Sequence, residues 1–350
     1  MKILGIETSC DETAAAVVED GRKIISNIVA SSVEMHEKTG GIIPEMAARQ
    51  QVVSIVPVID ESLGKLSIQK DIDVIAVTAG PGLVGSLLVG VETAKTLSML
   101  SEKPLIPVNH VIAHLYANFL QIPPPVGSPF GHPTGVSMPE FPALGLVVSG
   151  GHSELFVMYK INKLKWIGGT LDDASGEAFD KTARILDLGF PGGPAIAAEA
   201  AKFRSQNSVI RILLPRPMMN DESFNFSFSG LKTAVTREVQ KLKQNKQFNK
   251  FAIQQLANEI QESITDVLVT KTLRAAEKYK VKSILVGGGV AANKRLNEKF
   301  KERAKKINLY IPPPSLCTDN AAYIAGYAFY FNKPVDWKNV EARPDLEVEV

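Results

Sequence analysis

The sequence predicts a two-lobed α/β protein whose halves are built from the same series of elements. Three observations carry this. A hairpin, helix, strand, helix, strand, helix order runs through residues 1–120 and is repeated across 141–331. Between the halves, residues 121–140 hold six prolines among twenty positions, a composition that cannot build a packed element. An apolar fraction of 45% with 22% charged residues supplies enough core for both halves of a 350-residue chain. The predicted organisation is an N-terminal lobe 1–120, an exposed connector 121–140, a C-terminal lobe 141–331 with a helical insertion at about 170–250, and a tail 332–350.

The elements follow in order. Lys2 to Ile6 is a short apolar strand, Glu7 to Thr13 a polar turn, and Ala14 to Val18 the returning strand of a hairpin. Pro44 opens a helix that runs to about Leu63, since proline is tolerated in a first turn. Asp73 to Thr78 is a strand, Ala79-Gly80-Pro81-Gly82 a tight turn, and Leu83 to Leu100 a helix. Pro104 to Val108 is the next strand, and Val111, Ile112, Leu115 and Phe119 mark the helix after it. In the second lobe, Ala143 to Val148, a turn at Ser149 to Ser153, and Glu154 to Tyr159 repeat the hairpin. Ser283 to Val286 with Val290 to Lys305, then Leu309 to Ile311 with Asp319 to Phe331, repeat the strand and helix pairs.

Composition narrows the function classes. Lys plus Arg at 39 against Asp plus Glu at 37 leaves a formal charge of +2, so any basic surface is local. Two cysteines, Cys10 and Cys317, are too few for a disulfide framework and lack a CxxC spacing. The N-terminus enters a strand at once, without a leader pattern, and no apolar run nears the ~20 residues of a membrane span. A cytoplasmic enzyme is the expectation.

His110 and His114, four residues apart, share one helical face just after a buried strand. Asn109 is a natural N-cap, which places both imidazoles near the positive end of the helix, where protonation is disfavoured. The repeat sets Asp319, at the start of the last helix of the second lobe, opposite His110 across a cleft between the lobes. Two imidazoles and a carboxylate suit Zn²⁺ or non-haem Fe²⁺ with positions left open for substrate. Val111 follows His110, so the glutamate base of a His-Glu-x-x-His metalloprotease is missing.

The hairpin turns of both lobes are rich in Gly, Ser and Thr, where backbone N–H groups can close around a phosphate. Gly287-Gly288-Gly289-Val290-Ala291-Ala292-Asn293 offers a flat backbone for an adenine or ribose, with Asn293 able to donate and accept. Asp173, Glu177 and Asp180 lie on one helical face ahead of the rigid Pro191-Gly192-Gly193-Pro194 turn, which makes Asp180 and Gly193 ligand-facing candidates. Phe224 to Lys232 alternates aromatic and polar residues and reads as a half-buried edge strand. Lysines and arginines cluster at 232–250 and 294–306, the places to look for phosphate-backbone contacts.

Long motifs along residues 2 to 330 resemble the TsaD family of bacterial and organellar type. They are Gly5-Ile6-Glu7-Thr8-Ser9-Cys10-Asp11-Glu12-Thr13, Ala79-Gly80-Pro81-Gly82-Leu83-Val84-Gly85, the His110/His114 pair, Val148-Ser149-Gly150-Gly151-His152, Gly176-Glu177-Ala178-Phe179-Asp180-Lys181, Phe226-Ser227-Phe228-Ser229-Gly230-Leu231-Lys232 and Cys317-Thr318-Asp319-Asn320. The resemblance implies an actin-like, Hsp70-like duplicated fold with an interlobe cleft. It also implies transfer of threonylcarbamoyl from threonylcarbamoyl-adenylate to the N6 amino group of the adenosine 3′ of the anticodon in tRNAs reading ANN codons. By the same likeness His110, His114 and Asp319 hold one divalent ion, Fe²⁺ before Zn²⁺. Val147, Val148, Ser149, Gly150, Gly151, Asp180, Gly193 and Asn293 contact the adenylate, or ATP or ADP in its place. The implied partners are tRNA, the paralogue TsaB and the ATPase TsaE, with a TsaC or Sua-type enzyme making the adenylate. The segment 121–140 and the tail after Pro344 depart from the family pattern.

Overall fold

The computed structural model describes residues 1–121, 137–205 and 212–348, and divides into two compact units: Met1–Pro139 with Ser315–Val350, and Glu140–Pro314. The connector at 121–140 lies outside the described residues apart from its two ends.

In chain order the elements are β1 (Lys2–Glu7), β2 (Thr13–Glu19), β3 (Lys23–Ala30), α1 (Val33–Thr39), α2 (Pro44–Leu63), α3 (Ile68–Asp71), β4 (Val74–Gly80), α4 (Val84–Ser101), β5 (Leu105–Asn109) and α5 (His110–Ala113). There follow β6 (Ala143–Val148), β7 (Ser153–Lys160), β8 (Lys163–Gly169), α6 (Ser175–Ile185), α7 (Gly192–Ser205), α8 (Ser229–Gln244) and α9 (Lys250–Lys278). The last are β9 (Ser283–Gly287), α10 (Lys294–Arg303), β10 (Asn308–Tyr310), α11 (Pro314–Cys317) and α12 (Ala322–Phe331).

The duplication is visible in the sheets. The first orders its strands β3-β2-β1-β4-β5 and the second β10-β9-β6-β7-β8, the same arrangement written from the other edge. In each, an antiparallel three-strand meander continues into parallel strands. The meanders each hold a strand absent from the sequence reading, β3 and β8. Both lie at sheet edges, where Ile25, Val29 and Trp166 face outward and blur the alternation.

Strand alternation sends the first sheet's side chains to two cores. Leu4, Ile6, Ala15, Val17, Ile75 and Val77 pack against α2 and α4. Ile3, Ala14, Ala16, Val18, Ala76 and Val108 pack against the opposite layer, and that layer is α12 with the segment 110–120.

This corrects the predicted lobe boundary. The last helix follows β10 in sequence, which predicts it in the second lobe, but α12 covers the first sheet, so residues 315–331 belong to the first unit. The reason is steric. A helix that is apolar nearly all round must be buried on most sides, and β1 offers it a shelf of small residues. A Cβ placed on Gly5 would sit 2.4 Å from the Ala321 carbonyl oxygen and 3.2 Å from Ala325 Cβ, so only glycine admits the helix this closely.

The tail is laid along the same unit. The Arg343 N–H donates to the Ala79 carbonyl at 2.7 Å, the Gly82 N–H to the Pro344 carbonyl at 3.2 Å, and Asn109 Nδ2 to the Glu347 carbonyl at 3.3 Å. In the second unit the insertion resolves into α6, α7 and α8 ahead of the long α9. The stretch Phe224 to Lys232 is a single bridge from Phe226 to Thr170 and then the start of α8, rather than an edge strand. Asp172 accepts from the N–H groups of Phe228 and Ser229 and the hydroxyls of Ser227 and Ser229, so it caps α8 from a distance. Among the described residues no helix is long and apolar enough to cross a membrane, and both cysteines are free.

Candidate metal centre and ligand-facing turns

Asn109 ends β5 and caps the turn after it, its Oδ1 accepting from the N–H groups of Val111 and Ile112 at 3.0 and 3.2 Å. The chain then makes one α-helical turn, His110–Ala113, and tightens to a 3₁₀ helix over His114–Phe119. The predicted continuous helix is therefore two short ones, yet both imidazoles still fall on one side, their ring centroids 4.6 Å apart.

Asp319 lies in the turn between α11 and α12, three residues before the helix the sequence predicts to start on it. Asn320 Oδ1 accepts from the Ala322 N–H at 3.1 Å at the start of α12, and the Asp319 carboxylate faces the histidines. Its Oδ1 lies 3.7 Å from His110 Nε2 and 3.6 Å from His114 Nε2. Those separations are too long for hydrogen bonds. They are a few tenths of an ångström longer than the roughly 3.0 to 3.5 Å between donors ~2.1 Å from one ion at right-angled to tetrahedral angles, so a small inward shift would bring them to co-ligand spacing. His110, His114 and Asp319 form a group whose ligand atoms all lie within 4.8 Å of one another. The donor set and its spacing fit a divalent ion. The three residues come from a single unit, not from two lobes as the sequence implied.

Behind His110 lies a residue the sequence reading did not single out. Glu7, fully buried at the end of β1, places Oε2 at 3.0 Å from His110 Nδ1 and accepts from Thr78 Oγ1 at 2.5 Å. Tyr323 closes the other side, its ring 4.7 Å from that of His114 and its hydroxyl 3.4 Å from Asp319 Oδ1.

At His110 the charge state differs from the expectation of a neutral imidazole. Burial opposes the charge on His110, but the Glu7 and Asp319 carboxylates outweigh it and hold the imidazole up to about 9. Burial pushes Asp319 up to about 6 against the pull of His110, with Glu7 and Asp11 adding to the rise. Two nearby carboxylates win over the end of a one-turn helix. An ion taking the imidazole nitrogen must displace that proton. Zn²⁺ affinity is accordingly expected to rise about tenfold per pH unit from about 6 to about 9, and more steeply below 6 where Asp319 is also protonated. Calorimetric titration in buffers of different ionisation heat checks this; affinity flat above about 6.5 contradicts it.

Of the ligand-facing candidates of the second unit, Val147 to Gly151 form the end of β6 and the β6–β7 turn. Val147 and Val148 end β6, and the Ser149 N–H closes the turn on the His152 carbonyl at 2.9 Å. The first turn of α6 packs onto it, the Gly176 and Glu177 N–H groups donating to the Ser149 and Gly150 carbonyls. Gly288, at φ +93°, abuts Val148 so closely that a Cβ would lie 2.4 Å from its carbonyl oxygen. Gly150, Gly151 and Gly193 each have open space where a Cβ would be. Asp180 Oδ1 accepts the Gly192 N–H at 2.7 Å and so ties α6 to the start of α7 beside Gly193.

Two expectations change in detail. Asp173 and Glu177 pair with Lys181, which offsets part of the acidic face, while burial and the nearby Glu177 raise the Asp180 carboxyl above its ordinary range. Asn293 Oδ1 caps α10 by accepting from the Arg295 and Leu296 N–H groups, which leaves its amide N–H₂ as the group on offer. The basic run on α10 is also partly internal, since Arg295 and Lys299 pair with Glu262, and Lys299 also with Asp266.

Among solved structures, component A of the Acidaminococcus fermentans (R)-2-hydroxyglutaryl-CoA dehydratase superposes with a TM-score of 0.50 at 14% identity, covering 95% of this chain and 98% of that one. HypF of T. kodakarensis superposes at 0.56 with 11% identity, over 94% of this chain and 48% of that one. Fold and site together define a duplicated actin-like α/β protein that carries a His-His-Asp donor group in its first unit. Sequence relatives are closer. A protein of Thermomicrobium roseum, 47% identical over 366 residues (99% of this chain, 95% of that protein), and one of Bacillus subtilis, 49% identical over 329 residues (93% and 89%), are both tRNA N6-adenosine threonylcarbamoyltransferases by name. Residues 23–326 match the family model TsaD, tRNA N6-adenosine threonylcarbamoyltransferase, and the chain belongs to that family.

Proposed function

We propose that this protein transfers the threonylcarbamoyl group of threonylcarbamoyl-adenylate to the N6 amino group of the adenosine 3′ of the anticodon in tRNAs reading ANN codons. The N6 nitrogen attacks the carbamoyl carbon, the bond from that carbon to the phosphate oxygen breaks, AMP leaves with the electron pair, and the N6 proton passes to solvent. The observation that carries the reading is the family match over residues 23–326 joined to the facing donor atoms of His110, His114 and Asp319.

In this reading those three residues hold one divalent ion, Fe²⁺ or Zn²⁺, by two imidazole nitrogens and one carboxylate. Bound there, the ion supplies Lewis-acid polarisation of the carbamoyl oxygen. Gly150, Gly151 and Gly193 give the adenylate backbone free of side chains beside Val147, Val148 and Ser149, Asp180 fixes the Gly192 turn, and Asn293 offers its amide N–H₂. The same surface would take ATP or ADP. Much of the rate gain is positioning, for which effective molarities of ~10⁵ M are attainable.

tRNA is the acceptor, and the exposed Lys232, Arg237, Lys241, Lys243 and Lys246 on and just after α8 suit its phosphates. The partners in this reading are TsaB, TsaE and a TsaC or Sua-type enzyme that supplies the adenylate. An apolar surface supports docking of another protein: Val52, Val53 and Val56 on α2 are 63%, 69% and 67% exposed, with Val84 and Leu88 outward on the adjoining α4.

The test is a reconstituted reaction with supplied threonylcarbamoyl-adenylate, unmodified tRNA, the paralogue and the ATPase, read by nucleoside analysis. Modified adenosine and AMP should form in equal amounts. AMP without modified tRNA, or ATP-dependent phosphorylation of a small substrate instead, would overturn the proposal.

A further inference from the structure

We infer that Glu7 is a positioning residue for the metal centre, fixing which nitrogen of His110 meets the ion. The inference rests on the reading of His110, His114 and Asp319 as ligands and adds a residue outside that set.

A carboxylate with no exposure at the end of a sheet strand is costly unless each oxygen is served by donors. Glu7 is served on both. Oε1 accepts the Ser9 N–H at 2.5 Å, and Oε2 accepts Thr78 Oγ1 at 2.5 Å and faces His110 Nδ1 at 3.0 Å. Strands β1 and β4 are parallel neighbours, so Glu7 and Thr78 are held by the sheet itself rather than by a loop. The carboxylate is therefore fixed before His110 meets it.

An imidazole offers one nitrogen to a metal and keeps its proton on the other, and the partner of the second nitrogen decides which. An ionised carboxylate only accepts, so Nδ1 carries the hydrogen and donates to Glu7. Ser9 Oγ, 3.2 Å from the same nitrogen, adds an acceptor there. Nε2 is then the atom presented toward Asp319. Carboxylate partners of this kind orient the ring and raise its basicity, and their loss costs roughly 10- to 100-fold in metal affinity.

The experiment compares Zn²⁺ affinity of the full-length protein, by calorimetry, for the unaltered chain, Glu7→Gln and His114→Ala. It adds ¹⁵N-histidine NMR of the unaltered protein loaded with Zn²⁺. The expected result is a roughly 10- to 100-fold weaker site in Glu7→Gln at a preserved fold, with His110 showing Nδ1 protonated and Nε2 bound. Glu7→Gln binding as tightly as the unaltered chain, or Nδ1 found on the metal, overturns the inference while leaving the triad intact. If the unaltered chain binds no Zn²⁺, or His114→Ala binds it equally well, the ligand reading itself falls and takes the inference with it. Should Glu7→Gln not fold, the NMR spectrum of the unaltered protein decides alone.

Discussion

His110→Ala or Asp319→Ala should abolish transfer to tRNA, a loss of about a thousandfold or more in the reconstituted assay with adenylate supplied. The size follows from the chemistry assigned to the site. Polarising a carbonyl by a bound ion is worth several kcal/mol of transition-state stabilisation, and each 1.36 kcal/mol is about tenfold in rate. Either substitution leaves two donors where three stood, and Asp319→Ala also removes a carboxylate that faces both imidazoles. Melting temperature should change little in Asp319→Ala, whereas His110→Ala should also lower it, because the buried Glu7 carboxylate loses its partner. Turnover equal to that of the unaltered protein would refute the metal role.

Gly5→Ala should damage both stability and the site by a different route. The added methyl would lie 2.4 Å from the Ala321 carbonyl oxygen and 3.0 Å from the Ala325 nitrogen, both backbone atoms of α12 and the turn that leads into it. Backbone cannot swing aside as a flexible side chain does, so the helix must lift from β1. Overpacking of this kind costs about 1–3 kcal/mol, seen as a melting temperature lower by several degrees. Asp319 sits two residues before the displaced turn, so Zn²⁺ affinity should fall together with stability. Calorimetry and thermal unfolding on the same preparation check the pairing; lost stability with unchanged affinity would show that Asp319 is placed by something other than α12.

The parts of this fold that were legible in the sequence are those whose signal is local. Pro44 and the apolar periodicity after it place α2 at the residues where it is found, and Asn109 caps the turn that carries the histidines. The grouping of His110, His114 and Asp319 was also legible, through the repeat of elements. The repeat nevertheless misplaced Asp319 by unit, because chain order does not reveal that α12 needs the small-residue face of β1. Glu7 was in view as part of the first turn, but its meaning depends on an atom 103 residues away. The 29-residue α9 escaped notice for another reason: Gln254, Gln255, Asn258, Glu259 and Gln261 are buried in it, so apolar periodicity does not outline the helix. Its glutamates serve Arg216, Arg295 and Lys299 across the second unit.

Anomalous scattering from crystals of the protein soaked in Zn²⁺ is the most direct measurement of the central claim. One peak is predicted, ~2.0–2.2 Å from His110 Nε2, from His114 Nε2 and from a carboxylate oxygen of Asp319. A peak elsewhere, or these three side chains turned away from a common point in the loaded crystal, would contradict it.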